Sequence, residues 1–361
     1  MTGHVLAGRG RVSDGRGRAV GGPGRVVADL DGSPAWHIRA GSTGEGRETV
    51  RVTPQHAGWE FSALRVVELP PRARYECATE EFEVVVLPLA GSCTVEAVAG
   101  SCTVEAVAGR AELAGGAELA GGAELAGGAE LAGGAELAGR AELAGRLSVF
   151  AALSDCAYVP RDSELSLTSE AGGRFALASA RARRALPFRH VRSADIAVEL
   201  RGTGACSRQV NNFAMPGILD ADRLLACEVL TPSGNWSSYP PHKHDEDRPG
   251  ECALEEIYYF EVAAGPAGPG IAYQRVYGTP QRPADILAEV RTGDVVMIPH
   301  GWHGPSMAAP GYDLYYLNVM AGPGRREWLA RDDPAHSWVR STWPDQPVDP
   351  RLPMTGRRTN P

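Results

Sequence analysis

Apolar residues along this chain come mostly in short runs, alternating with polar ones and closed by Gly or Pro turns. Phe82-Glu83-Val84-Val85-Val86-Leu87-Pro88-Leu89 is the clearest early run. Later runs are Leu224 to Leu230, Ile257 to Val262, Gly270 to Tyr277, Asp294 to Pro299 and Leu314 to Met320. Their β-branched and aromatic residues, with turn signals at short spacing, predict an all-β sandwich or barrel. Helices are expected only over Pro283 to Arg291 and near Glu327. A fold of this kind can hold a ligand in its mouth, lined by alternate strand residues.

Two stretches depart from the pattern. Residues 1–35 are rich in Gly and Arg and bury too little apolar surface to offset their ordering entropy, so a disordered extension is expected. A nucleic-acid tail is the sharper reading, but the tract is short and lacks aromatics. From 91 to 146 the chain is repetitive. Gly91 to Ala99 recurs as residues 100–108, and Ala-Glu-Leu-Ala-Gly-Gly/Arg then recurs six times from Ala111 to Arg146. A β-helix coil also repeats in sixes, but it stacks branched apolar side chains, and one Leu per repeat offers little to bury. An expanded surface loop without functional role is the expectation.

Composition narrows the function. The 361 residues suffice for two domains, and 43% hydrophobic with 22% charged residues is ordinary for a globular protein. A net charge of −8 without a basic stripe argues against nucleic-acid binding. No apolar run reaches the ~18 residues that span a bilayer, and the N-terminus is a poor secretory signal. Seven cysteines, an odd number without CxxC spacing, point to a reducing cytoplasm rather than a disulfide framework.

The chemistry concentrates in one region. His242-Lys243-His244, Leu254-Glu255-Glu256-Ile257-Tyr258-Tyr259-Phe260 and Gly293-x5-Pro299-x-Gly301-x-His303 follow one another. On an extended strand residues two apart share a face, so His242 and His244 project together. A Glu from the next strand and His303 beyond the turn would complete three imidazoles and a carboxylate around one divalent metal. That set leaves one or two positions for water or substrate and serves Zn, Mn, Fe or Ni. A His pair on a strand is otherwise often a solvated edge, but here the ligand types come in order and bracketed by turn residues. Glu255 and Glu256 point to opposite faces. With Glu256 inward, Tyr258, Phe260 and Val262 line the interior; with Glu255 inward, a second acid, Glu261, goes with it. Glu256 is therefore the favoured ligand. His300 sits in the turn and is set aside, as are the scattered His4, His37, His56, His190 and His336. Cys252 lies near enough to be a thiolate ligand but is not needed.

These words resemble the two-part cupin signature. Their surroundings, Asn235 to Glu246, Leu254 to Tyr259, Gln274 to Tyr277 and Gly311 to Gly322, resemble the 5-deoxy-glucuronate isomerase family of myo-inositol catabolism. Similarity extends to Arg39 to Ser42, Val52 to Pro54, Ala57 to Trp59 and Cys206 to Phe213, covering most of Trp36 to Pro347 apart from the repeats. The resemblance implies two jelly-roll barrels. An N-terminal cupin without metal would span 36–190 and contain the 91–146 insertion; a metal-binding cupin would span 191–347, with a tail at 348–361. The stretch from His244 to the Glu pair is long for a cupin, which keeps Glu246 and Glu251 as outside candidates for the carboxylate ligand.

The implied activity is a metal-dependent aldose–ketose isomerisation of a small sugar acid. Its carboxylate needs a cation, for which Arg275, Lys243 and Arg208 are candidates; Arg275 leads because Tyr273 and Tyr277 flank it. Tyr258, Tyr315 and Asp313 are the candidates for moving the proton. Alternatives are a sibling uronate isomerase of pectin breakdown, a cupin dioxygenase, or a sugar-binding bicupin without catalysis. A homo-oligomer is compatible with all of these.

Overall fold

The structure, a computed structural model, describes residues 36–100 and 137–355. The Gly/Arg-rich head and the centre of the repeat tract lie outside the described residues, so the expectations for them stand untested. The described residues are almost entirely strands, with one short helix, Pro54–Ala57, and short 3-10 turns. Thr53 caps that helix by accepting from the His56 N–H, and Gly58, at φ 73°, closes it in the left-handed region.

Two barrels are formed. In the N-terminal one, a single nine-stranded sheet curls on itself around the long strand Phe82–Ala99. The first part of that strand pairs with Gly173–Arg181 and Cys156–Val159, and its second part with Ser163–Ser169 and Leu137–Arg146. In the C-terminal barrel a seven-stranded sheet, centred on Glu255–Val262 and Leu314–Ala321, packs on a six-stranded sheet centred on Trp302–Ala308. The short strand His37–Ile38, near the start of the described chain, pairs with Val295–Ile298 and so belongs to this second barrel.

The continuous apolar runs have a simple cause: these strands are buried on both faces. Val84 and Val86 point into the N-terminal barrel, while Val85, Leu87 and Leu89 point out of it. The outward set meets Ile257, Tyr259, Leu317 and Val319 of the second barrel in one shared core. Tyr258, Phe260 and Val262 face the interior of the second barrel. Each fully buried aliphatic or aromatic side chain contributes about 1.5–3 kcal/mol relative to exposure. In the N-terminal barrel the interior is filled by Val67, Leu69, Val84, Phe175 and Leu177.

Three expectations need correction. Pro283 to Arg291 is not a helix but contains the strand Asp285–Val290; Ile286, Ala288 and Val290 are buried while Asp285 and Leu287 are exposed, a period of two. The stretch around Glu327 is irregular, and a 3-10 segment begins only at Ser337. Nor is the repeat region a loop throughout. Its two ends are strands in register, Thr94 opposite Glu142 and Val98 opposite Leu137, and Leu143 is buried in the N-terminal core.

Candidate metal centre

His242 and His303 stand directly opposite one another on the neighbouring strands His242–Lys243 and Trp302–Ala308. Gly301 makes the turn before His303 at φ 90°, and a Cβ there would come within 2.7 Å of the Tyr277 carbonyl oxygen. His244 follows on the same face as His242. One ligand nitrogen from each of the three histidines lies within 4.8 Å of the others, and all three side chains are close-packed inside the barrel.

Ring orientation is set by backbone carbonyls. His244 Nδ1 lies 3.3 Å from the Leu254 oxygen and His303 Nδ1 lies 3.2 Å from the Gly301 oxygen. A carbonyl only accepts, so Nδ1 carries the proton in both and each Nε2 lone pair is aimed at the centre. Glu256 Oε2 is 3.0 Å from the Nε2 atoms of His244 and of His303. Its other oxygen accepts from Asn318 Nδ2 at 2.6 Å. His303 Nε2 is buried yet makes no hydrogen bond of acceptable geometry. An orphaned imidazole nitrogen facing a carboxylate and two further imidazoles is the donor set a divalent cation satisfies, so these four residues fit a metal.

Electrostatics at Glu256 and His242 agree with geometry. Burial pushes the Glu256 carboxyl up, but His244 and His303 beside it outweigh this and hold it at about 2. Burial, then the neighbouring His303 and His244, hold His242 well below its ordinary value. A neutral imidazole and an ionised carboxylate are the states a metal needs.

Glu255, on the opposite face, accepts the backbone N–H groups of Glu60, Phe61 and Ser62 at 2.7–2.8 Å and so ties the two barrels together. The face it shares with Glu261 is buried too, in the core between the barrels, where Arg174 pairs with Glu261 at 2.7 Å. Burying a second acid is therefore no argument against that face; the direction of the barrel interior decides. Glu251 and Glu246 are taken by Lys243, at 2.6 and 3.2 Å, and by Arg248. Cys252 meets backbone groups of Glu327 and Leu329 instead of the histidines. His300 packs edge-on against Trp36.

A cavity of about 400 Å³ opens onto the cluster, walled by His242, Glu256, Tyr258 and Tyr316 on one side and Arg201 and Arg208 on another. Of the cation candidates, Arg208 alone lines it. Arg275 lies on the outer face of its strand with Tyr273 and Tyr277 and bonds Asp285 at 2.5 Å, because the inward positions are Ala272, Gln274 and Val276. Lys243 points away from the histidines that flank it, as alternation demands, into its carboxylate partners Asp245 and Glu251. Among the proton-moving candidates, Tyr258 lines the cavity, its hydroxyl 3.4 Å from Ser238 Oγ, which is 3.0 Å from the Tyr316 hydroxyl. Tyr315 faces the other barrel and donates to Glu228 at 2.8 Å. Asp313 accepts from the Ser233 N–H at 2.8 Å, outside the cavity. Arg201, Arg340, Asn318 and Trp328 also line the cavity and were not singled out from sequence; only chain folding brings them there.

Known proteins similar to this chain point to one family. The chain is 34% identical to the 5-deoxy-glucuronate isomerase of Geobacillus kaustophilus over 304 residues, covering 84% of this chain and 94% of that one. It is 43% identical to the enzyme of the same name from Bacillus velezensis over 187 residues, 52% of this chain and 67% of that one. An IolB-like protein from Salmonella typhimurium superposes with a TM-score of 0.66 at 30% identity, covering 84% of this chain and 99% of that one. Oxalate decarboxylase from Lactobacillus farciminis superposes at 0.52 with 11% identity, covering 82% and 88%, and so shares the fold alone. The profile of the KduI/IolB family matches residues 36–118 and 119–339, and with a relative this similar over nearly its whole length, the chain belongs to the KduI/IolB family.

Proposed function

We propose that the protein is a 5-deoxy-glucuronate isomerase, converting the aldose acid to its 2-keto isomer, 5-dehydro-2-deoxy-gluconate, in myo-inositol catabolism. The curated relatives carry that activity in their names, and one of them is matched over nearly its whole length. The single structural observation that supports the chemistry is the inward cluster of His242, His244, His303 and Glu256, of which His242 and Glu256 line a cavity. A divalent metal held there, Zn, Mn, Fe or Ni, would stabilise the negative charge that develops on the sugar oxygens as a proton leaves the adjacent carbon.

The protein's own groups do the rest. Tyr258 Oη, with Ser238 and Tyr316 behind it, is the hydroxyl placed to hold a proton beside the reacting carbons. Tyr258, Tyr316 and Trp328 line the same cavity. A reducing, cytoplasmic setting is supported by the free thiols of Cys77, Cys93, Cys156, Cys206, Cys227 and Cys252. Among the described residues no helix is long and apolar enough to cross a membrane.

The test is an aldose-to-ketose assay on 5-deoxy-glucuronate. Metal-loaded protein is expected to turn the substrate over, to lose activity on chelation and to regain it on adding a divalent ion. Absence of turnover by fully metal-loaded protein would sink the function, and turnover indifferent to metal removal would sink the mechanism. Oxygen consumption with substrate would point to a dioxygenase instead.

A further inference from the structure

Three arginines face the cavity, and two already have anionic partners. Arg201 donates through Nε and Nη2 to the two oxygens of Glu199 at 2.8 and 2.7 Å. Arg340 forks onto Asp332. Arg208 is different. It is 5% exposed, and among the described residues its guanidinium makes one hydrogen bond, from Nη1 to the Cys206 carbonyl at 3.0 Å. A guanidinium carries five N–H donors, so four remain to be met. Of the titratable groups acting on it, Tyr316 and Cys206 attract only when ionised, while Arg201 and Arg340 repel. Burial first, and those two cations with it, hold its pKa down at about 10.

A buried cation without an anion is costly to keep, and here it is held in place deliberately. The Trp343 ring lies 5.8 Å from the guanidinium carbon. Gly202 makes room for the head group, since a Cβ there would stand 2.7 Å from Nη1. The planar fork matches a carboxylate in two parallel hydrogen bonds.

Resting on the isomerase reading, we propose that Arg208 is the receptor for the substrate carboxylate, with the carbonyl end of the sugar acid directed toward His242, His244, Glu256 and His303. Among the arginines of the cavity wall, one is then left for the one anionic end. A neutral sugar of the same shape leaves that cation buried and unpaired, which is the strongest form of rejection a small site commands. Arg201 and Arg340 set the walls but bring their own counter-charges. Specificity for an acid over a neutral sugar thus resides in one side chain.

The test compares metal-loaded wild type with Arg208→Gln and Arg208→Lys. Steady-state rates are measured on 5-deoxy-glucuronate and on 5-deoxy-glucose, in which a hydroxymethyl group replaces the carboxylate. The wild-type preference for the acid, as a ratio of kcat/KM, should fall by on the order of 100-fold in Arg208→Gln, mainly through KM, and recover in part in Arg208→Lys. Equal losses on both sugars would mean that Arg208 merely supports the fold, and would overturn the assignment. Calorimetric binding of glucuronate separates this from the activity itself. If wild type binds glucuronate without isomerising 5-deoxy-glucuronate, the isomerase reading fails, and weaker binding by Arg208→Gln still upholds Arg208. Equal binding by wild type and variant, or no binding by wild type, overturns it.

Discussion

The aim of Glu256 depends on a neighbour that is not itself a ligand. Asn318 Nδ2 holds Oε1 at 2.6 Å and leaves Oε2 toward His244 and His303. Groups that orient a metal ligand are worth about 10- to 100-fold in metal affinity. Asn318→Ala is expected to weaken metal binding by that factor, read by titration against a competing chelator. Unchanged affinity would mean that Glu256 needs no second support. At this scale the sequence was most legible where spacing on a single strand tells which residues share a face, as for His242 and His244. It was least legible for Arg275, because alternation tells which residues share a face but not which face looks inward.

Among the elements, the short strand His37–Ile38 shows how a distant segment is fastened to the second barrel. Asp294 accepts the Ala40 N–H at 2.8 Å and the Arg291 N–H at 3.0 Å, and stands 3.4 Å from His37 Nε2. Burial raises its carboxyl, but His37 and the two N–H groups outweigh that and hold it below the ordinary 3.8. The unfolded chain therefore binds the proton first as pH falls, so the stabilisation is whole above pH 3.8 and is lost as pH drops through the folded value. Asp294→Asn should cost about 1–3 kcal/mol at neutral pH, from unpaired buried donors. Denaturant unfolding of both proteins should show that gap narrowing on acidification below 3.8; a gap that widens there would refute the assignment. The strand over Asp285–Val290 was missed at this scale, since the exposed Leu287 breaks the apolar–polar alternation and only the burial pattern shows the period of two.

For the molecule as a whole, the two barrels are joined by an apolar core and by buried carboxylates that cross it. Glu83 accepts the N–H groups of Asp222, Arg223 and Leu224, each at 2.7 Å. Arg146, the last residue of the repeat tract, pairs with Glu228 where both side chains are fully buried, and Tyr315 and Asn211 also donate to Glu228. Removing one partner of such a pair leaves a buried charge alone, which costs about 3–5 kcal/mol. Arg146→Ala should lose that much stability in chemical denaturation, and adding Glu228→Gln should recover part of it. A double variant as unstable as the sum of the two would show that they act independently. Arg140 occupies the same place in the preceding repeat, yet it lies on the surface with Glu96 and Glu142. Identical hexapeptides thus reach opposite environments, which no reading of the repeat itself foretells.

By itself the sequence determined the all-β class, the ligand types and the family, because strand alternation, turn residues and donor chemistry are local properties of neighbouring positions. Only the tertiary structure decided that the apolar runs bury two faces, that Lys243 and Arg275 turn outward, and that Arg208 is left without an anion in the cavity wall. Those outcomes depend on which sheet covers which face, and that is settled by contacts between residues far apart in the chain.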